Sequence, residues 1–124
     1  MKQIILLGAC MMALGVVLGA FGAHGLKEKI PANLLAAYQT GVEYHFYHAL
    51  GLILVGIMAF HFPQASGLRI GSWILFLGIV LFSGSLYVMA LTGIRWLGAI
   101  TPIGGTAFIV GWLWIVWSVF QYRA

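Results

Sequence analysis

The sequence has no aspartate, and its only acidic residues are Glu28 and Glu43. Charged residues of both signs make up 6% of the 124 residues, against about 25% in soluble domains. So few charges cannot cover a soluble fold of this size. Without aspartate there is no Ser/His/Asp arrangement. A single cysteine, Cys10, leaves no intrachain disulfide framework. The basic residues Lys2, Lys27, Lys29, Arg69, Arg95 and Arg123 are scattered, not clustered, which argues against a nucleic-acid partner. "IGGTAF" (103 to 108) lacks the lysine of a phosphate-cradling loop, and no HExxH zinc motif occurs.

What is present is apolar sequence, 63% of the chain. Four stretches contain no Asp, Glu, Lys or Arg: residues 3 to 26, 44 to 68, 70 to 94 and 96 to 122. A hydrocarbon core of about 30 Å needs about 20 helical residues, so each stretch is long enough to span. The basic residues fall at the ends of these stretches, as is usual for membrane helices. The expected fold is an all-α integral membrane protein. One domain over residues 1 to 124 forms four transmembrane helices in a compact antiparallel bundle. Both termini then share one side, with three basic residues on each side, so the excess of Lys and Arg in cytoplasmic loops does not choose the orientation.

Lys2 before an apolar run resembles a secretory signal, and "LGAC" (7 to 10) resembles a lipoprotein processing box. The run continues to Ala23 without a polar cleavage region, and only Ile4 to Ala9 would serve as the apolar region before Cys10, with apolar sequence continuing after it, so neither cleavage is expected.

Helix 1 is expected from Lys2 to His24, with Gly25 as its left-handed cap. Gly8, Met12, Gly15, Gly19 and Gly22 are spaced four, three, four and three, which places them on one seam. Glycine seams let membrane helices approach closely where lipid removes the hydrophobic drive. Pro31 suits the first turn of a short interfacial helix leading into helix 2, with a bend at Gly41. Helix 2 is expected from Glu43 to Phe62 and helix 3 from Ile70 to Leu91. Gly71, Gly78 and Ser85 form a second seam with a seven-residue repeat. Helix 4 starts either at Pro102, capped by Thr101, or at Trp96 with a kink at Pro102. "LGVVL" (14 to 18) and "LGIVL" (77 to 81) lie 63 residues apart, consistent with two fused hairpins or with chance in a Leu/Gly/Val-rich chain.

The polar residues His24, Glu43, Tyr44, His45, Tyr47 and His48 gather around the helix 1–helix 2 connection and form the candidate site. On a helix, His45 and His48 share a face with Tyr44, whereas Glu43 points away with Tyr47. One site holding Glu43, His45 and His48 therefore requires an irregular helix start. His24 reads most simply as a helix-end residue bonded to free carbonyls, next as a link to helix 2. A metal at His24, His45 and His48, or haem between His24 and His48, has no supporting motif, and no metal, cofactor or catalytic residue is expected. Ser83, Ser85 and Tyr87 of "LFSGSLY" (81 to 87) are expected to bond backbone or a neighbouring helix. His61 is expected to be an interfacial anchor.

"GAFGAHGL" (19 to 26), "YHFYHALGL" (44 to 52), "LFSGSLY" (81 to 87) and "LGAITPIGGTAFIVGW" (97 to 112) together resemble the YgdD/YwdK family, small membrane proteins forming a domain-of-unknown-function family. The resemblance covers essentially the whole chain in motif order. It implies four membrane helices in a bacterial plasma membrane and no established reaction. The family motifs include His24 and His48 but often carry glutamine at the position of His45, which weakens a three-histidine metal site. The expected function is that of a non-catalytic accessory or scaffold bundle acting by helix–helix association. Its partners would be the lipid bilayer and a second copy or another membrane protein. The alternative is a binding or transport module for a lipid, quinone, haem or ion at the His24/His48 region.

Overall fold

The computed structural model describes residues 1–123 and is helical, with no strand among the described residues. Helix α1 (Lys2–Phe21) continues into a π-helical turn, Gly22–Leu26. Helix α2 is Ala32–His61. Helices α3 (Gly67–Gly78) and α4 (Gly84–Thr92) form one span, joined by a second π turn at Ile79–Ser83. A short 3₁₀ turn, Arg95–Ala99, leads into α5 (Thr101–Gln121). The four spans of 25, 30, 26 and 27 residues are each long and apolar enough to cross a bilayer.

The ends of these helices differ from the sequence reading for local reasons. Gly25 is not a left-handed cap. The π turn carries helical bonding through Leu26, so the chain reverses later, at Glu28 with φ 68°. The Lys29 N–H closes that turn on the Leu26 carbonyl at 2.9 Å. The segment after Pro31 is helical as expected, but it is the beginning of α2 and not a separate interfacial helix. The Pro31 carbonyl accepts from the N–H groups of Leu34 and Leu35, and the helix then runs unbroken through Gly41. Its 30 residues extend about 45 Å at the usual helical rise, more than a hydrocarbon core requires. Gly41 gives room to α4 instead of a bend: a Cβ there would lie 3.1 Å from the Tyr87 ring and 3.3 Å from Leu86 Cβ.

The third span begins earlier than expected, at Gly67, and ends at Gly93. That residue takes φ 73° and donates its N–H to the Met89 carbonyl at 2.8 Å, the left-handed stop that glycine adopts without steric cost. The fourth span has a short 3₁₀ turn at Arg95–Ala99 and then a helix start next to Pro102, not one kinked helix from Trp96. Thr101 does not cap it; its hydroxyl pairs with Ser85 across to α4.

Helix α1 packs on α2 and α3 packs on α5, while α2 also packs on α3 and α4. The glycine seams lie at the first two contacts. Gly8, Gly15 and Gly22 are buried against α2, facing Ala49 and Ile53, Phe46, and Tyr38 in turn. Gly71 and Gly78 are buried against α5, facing Ile115 and Phe108. Gly19 is looser, with Val42 at 3.4 Å from an added Cβ. One core cluster unites the spans through Ile4, Leu52, Val55, Leu75, Phe108 and Ile115. A second, at the other end, holds Leu26, Leu34, Tyr38 and Ala90.

Candidate functional site

Helix α2 carries most of the polar side chains, and its regular geometry distributes them to different neighbours. His45 faces inward and is buried. Its Nε2 lies 2.7 Å from the Met11 carbonyl of α1 and its Nδ1 lies 2.8 Å from the Tyr87 hydroxyl of α4. A carbonyl only accepts, so Nε2–H donates to Met11 and Nδ1 of the neutral ring accepts from Tyr87. The imidazole thus ties α1, α2 and α4 together. Ser83 adds to this seam by donating to the Gly41 carbonyl at 2.6 Å. Tyr38 donates its hydroxyl to the Leu18 carbonyl of α1 and packs on the Tyr87 ring at 5.1 Å.

His48, one turn along, faces α5. Its ring stacks on Phe108 with centroids 3.5 Å apart and planes within 9°. Its Nδ1–H donates to the Tyr44 carbonyl at 2.7 Å, which leaves Nε2 as an acceptor in the neutral ring. His48 lines a groove of about 510 Å³ between α2 and α5 with Tyr44, Phe82, Phe108, Thr106 and Trp112. Tyr44 closes one side of this groove through an edge contact with Phe82 at 4.7 Å.

The remaining candidates lie elsewhere. Glu43 and Tyr47 are exposed. Glu43 shares a smaller groove of about 280 Å³ with Gly22, Ala23 and Tyr38. His24 is exposed in the π turn and has no side-chain hydrogen-bond partner among the described residues. The helix start at α2 is regular, so Glu43, His45 and His48 do not converge, and His24 does not join His48. Among the described residues no three His, Cys, Asp or Glu side chains group as a metal-binding set.

The mid-span hydroxyls behave as the sequence suggested. Ser83 reaches the backbone of α2, and Ser85 bonds both the Phe82 carbonyl at 2.9 Å and the Thr101 hydroxyl of α5 at 2.6 Å. Sequence reasoning did not pair His45 with Tyr87 or give Tyr38 an acceptor. The available signal was the spacing of Ser83 and Tyr87, one helical turn apart, opposite a glycine on α2.

Residues 18–105 match the family model described as protein of unknown function (DUF423). The UPF0382 membrane protein YwdK of Bacillus subtilis is 52% identical over 122 residues, which is 98% of this chain and 99% of its own length. The chain belongs to this family. The UPF0382 membrane proteins SH2409 of Staphylococcus haemolyticus and SSP2132 of Staphylococcus saprophyticus are each 48% identical, covering 98% of this chain and 98% and 99% of their own lengths. No solved structure matches the chain significantly. This is therefore an integral membrane protein of an uncharacterised family with bacterial members, and its environment is the lipid bilayer.

Proposed function

We propose that this chain is a small non-catalytic scaffold that acts by helix–helix association in the bacterial plasma membrane, with both termini on the same side. The observation that carries the reading is the occupation of His45. Both of its ring nitrogens are engaged, by α1 and by α4, so the most deeply buried histidine joins helices and has no nitrogen left for a ligand. Ser83, Ser85 and Tyr38 have the same role, each reaching a neighbouring span. Interhelical hydrogen bonds of this kind contribute about 0.6 kcal/mol on average and up to about 2 kcal/mol each. The outward faces are correspondingly apolar, with Val16, Ile103, Leu113 and Phe120 exposed to the surroundings.

Native mass spectrometry of protein released from bacterial membranes tests this reading. The expected spectrum contains the polypeptide and its polypeptide complexes. A small molecule retained at fixed stoichiometry would contradict it. Reporters fused at Met1, within residues 27 to 30 and after Ala124 test the topology: the two termini should agree and the loop should differ.

One observation favours a second reading. The free Nε2 acceptor of His48, in an aromatic groove open between α2 and α5, suits an amphiphile that carries a hydroxyl, such as a quinol or a lipid headgroup. In that case a retained molecule should disappear in His48→Phe, which keeps the stacked ring and removes the acceptor.

A further inference from the structure

The two halves of the chain are built on one ladder of contacts. Gly8, Gly15 and Gly22 recur 63 residues later as Gly71, Gly78 and Ser85, and their partners recur with them. A Cβ on Gly8 would meet the Ala49 carbonyl and Ile53; one on Gly71 would meet the Gly111 carbonyl and Ile115. Gly15 faces Phe46 as Gly78 faces Phe108. On the partner helices these positions are 62 residues apart: 46 and 108, 49 and 111, 53 and 115. At the end of the ladder Gly22 meets Tyr38 and Ser85 meets Thr101, one residue out of the 62-residue register, because Tyr38 corresponds to Ile100. Spacing and contact agree at the Gly8/Gly71 and Gly15/Gly78 rungs, so α1–α2 and α3–α4–α5 are two versions of one helical hairpin.

Within the chain the hairpins join through the second helix of one and the first span of the next. Ser83 bonds the Gly41 carbonyl, and Leu86 and Tyr87 cover Gly41. The repeat places equivalents of this contact on the outside of the molecule. Gly41, Leu52 and Val55 of α2 correspond to Ile103, Trp114 and Trp117 of α5, and Ile79, Ser83 and Leu86 correspond to Val16, Ala20 and Ala23 of α1. All six outer residues are exposed. Helix α1 runs in the direction of α3–α4, and α5 in the direction of α2. A second copy in the same membrane orientation therefore meets α5 with its α1 in the antiparallel sense in which α2 meets α4.

We infer that copies of this chain associate head to tail, α5 of one against α1 of the next, by repeating the contact that joins its own two hairpins. This rests on the scaffold reading and names a second copy as the partner. The contact is heterologous, so the copies close into a ring or extend as a row according to the rotation between hairpins.

The test uses full-length chains carrying Cys10→Ala, one with Ala20→Cys and the other with Ile103→Cys, the counterparts of the Ser83–Gly41 pair. Both substitutions fall on exposed positions and leave the core untouched. When the two chains are co-expressed and their membranes are oxidised, the mixed disulfide dimer should dominate over either homodimer. Adding Ala23→Trp to the chain that carries Ala20→Cys should abolish the mixed dimer while circular dichroism remains unchanged. Homodimers as abundant as the mixed dimer would overturn the head-to-tail contact, as would a monomer with no cross-link. Cross-links from the Ile103→Cys chain to other polypeptides alone would overturn self-association but leave the scaffold reading standing. A monomer retaining a stoichiometric small molecule would remove both.

Discussion

The first hairpin, α1–α2, and the second, α3–α4–α5, share a ladder but differ in what the second helix offers beyond it. Tyr38, Gly41 and His45 of α2 provide a hydroxyl, an accessible carbonyl and an imidazole, and all three are engaged by α1 or by the third span. The corresponding positions are Ile100, just before α5, and Ile103 and Ala107 within it, which offer no polar side chain. Apolar packing gives the two hairpins the same internal geometry. Polar groups make α2 the central helix and leave α5 at the margin. In a bilayer this follows directly, because apolar surface gains nothing by leaving lipid, whereas a buried donor or acceptor requires a partner.

The largest effect is expected where the second hairpin is tightest. A Cβ on Gly104 would collide with the Phe82 nitrogen and lie 2.7 Å from its Cα, and backbone cannot move aside as a side-chain end can. Gly104→Ala should cost at least about 3 kcal/mol, the upper range for overpacking, read as a lowered unfolding midpoint in detergent. An equivalent pair should then separate the hairpins. Gly8→Ala would meet the Ala49 carbonyl at 2.9 Å and the Ile53 nitrogen at 3.0 Å, besides the Ile53 side chain. Gly71→Ala would press mainly on the Ile115 side chain, with the Gly111 carbonyl at 3.3 Å. Both should destabilise within about 1–3 kcal/mol, with Gly8→Ala the worse. Equal losses would mean that the rungs are interchangeable.

The smallest effects are expected where the seam is open. Gly19→Ala places its methyl 3.4 Å from Val42, an ordinary contact, and should change stability by less than about 0.5 kcal/mol. Gly84→Ala meets nothing within 4 Å and should stabilise α4 by up to about 1 kcal/mol, the propensity difference between the two residues. A loss at Gly84 comparable to that at Gly8 would show that the third span has a neighbour on that side.

Much of the fold was legible because long uncharged stretches and glycine spacing report spans and seams directly. Gly8, Gly15 and Gly22 lie where the seven-residue pattern puts them, whereas Gly19 shares the seam without sharing the close contact. Helix ends were less legible. The π turns at Gly22–Leu26 and Ile79–Ser83 leave no residue signature, and the first of them moves the reversal from Gly25 to Glu28. The polar site was legible as a list but not as an arrangement. Residues 43 to 48 sit together in sequence, but a regular helix sends His45 to α1 and α4, His48 to α5, and Glu43 and Tyr47 outward. Which neighbour each one meets depends on the packing of the whole bundle, which local spacing does not contain.

If the buried polar groups of α2 hold the helices together, His45 and Tyr87 must couple energetically. A double-mutant cycle measures this with His45→Ala, Tyr87→Phe and the pair, using unfolding free energies in detergent or bilayer discs. Tyr87→Phe removes only the hydroxyl that donates to Nδ1, 2.8 Å away. A coupling of about 0.6–1.7 kcal/mol is expected, the range of interhelical hydrogen bonds in membranes. Losses that add to within about 0.3–0.5 kcal/mol, as they do for independent residues, would contradict the role given to His45.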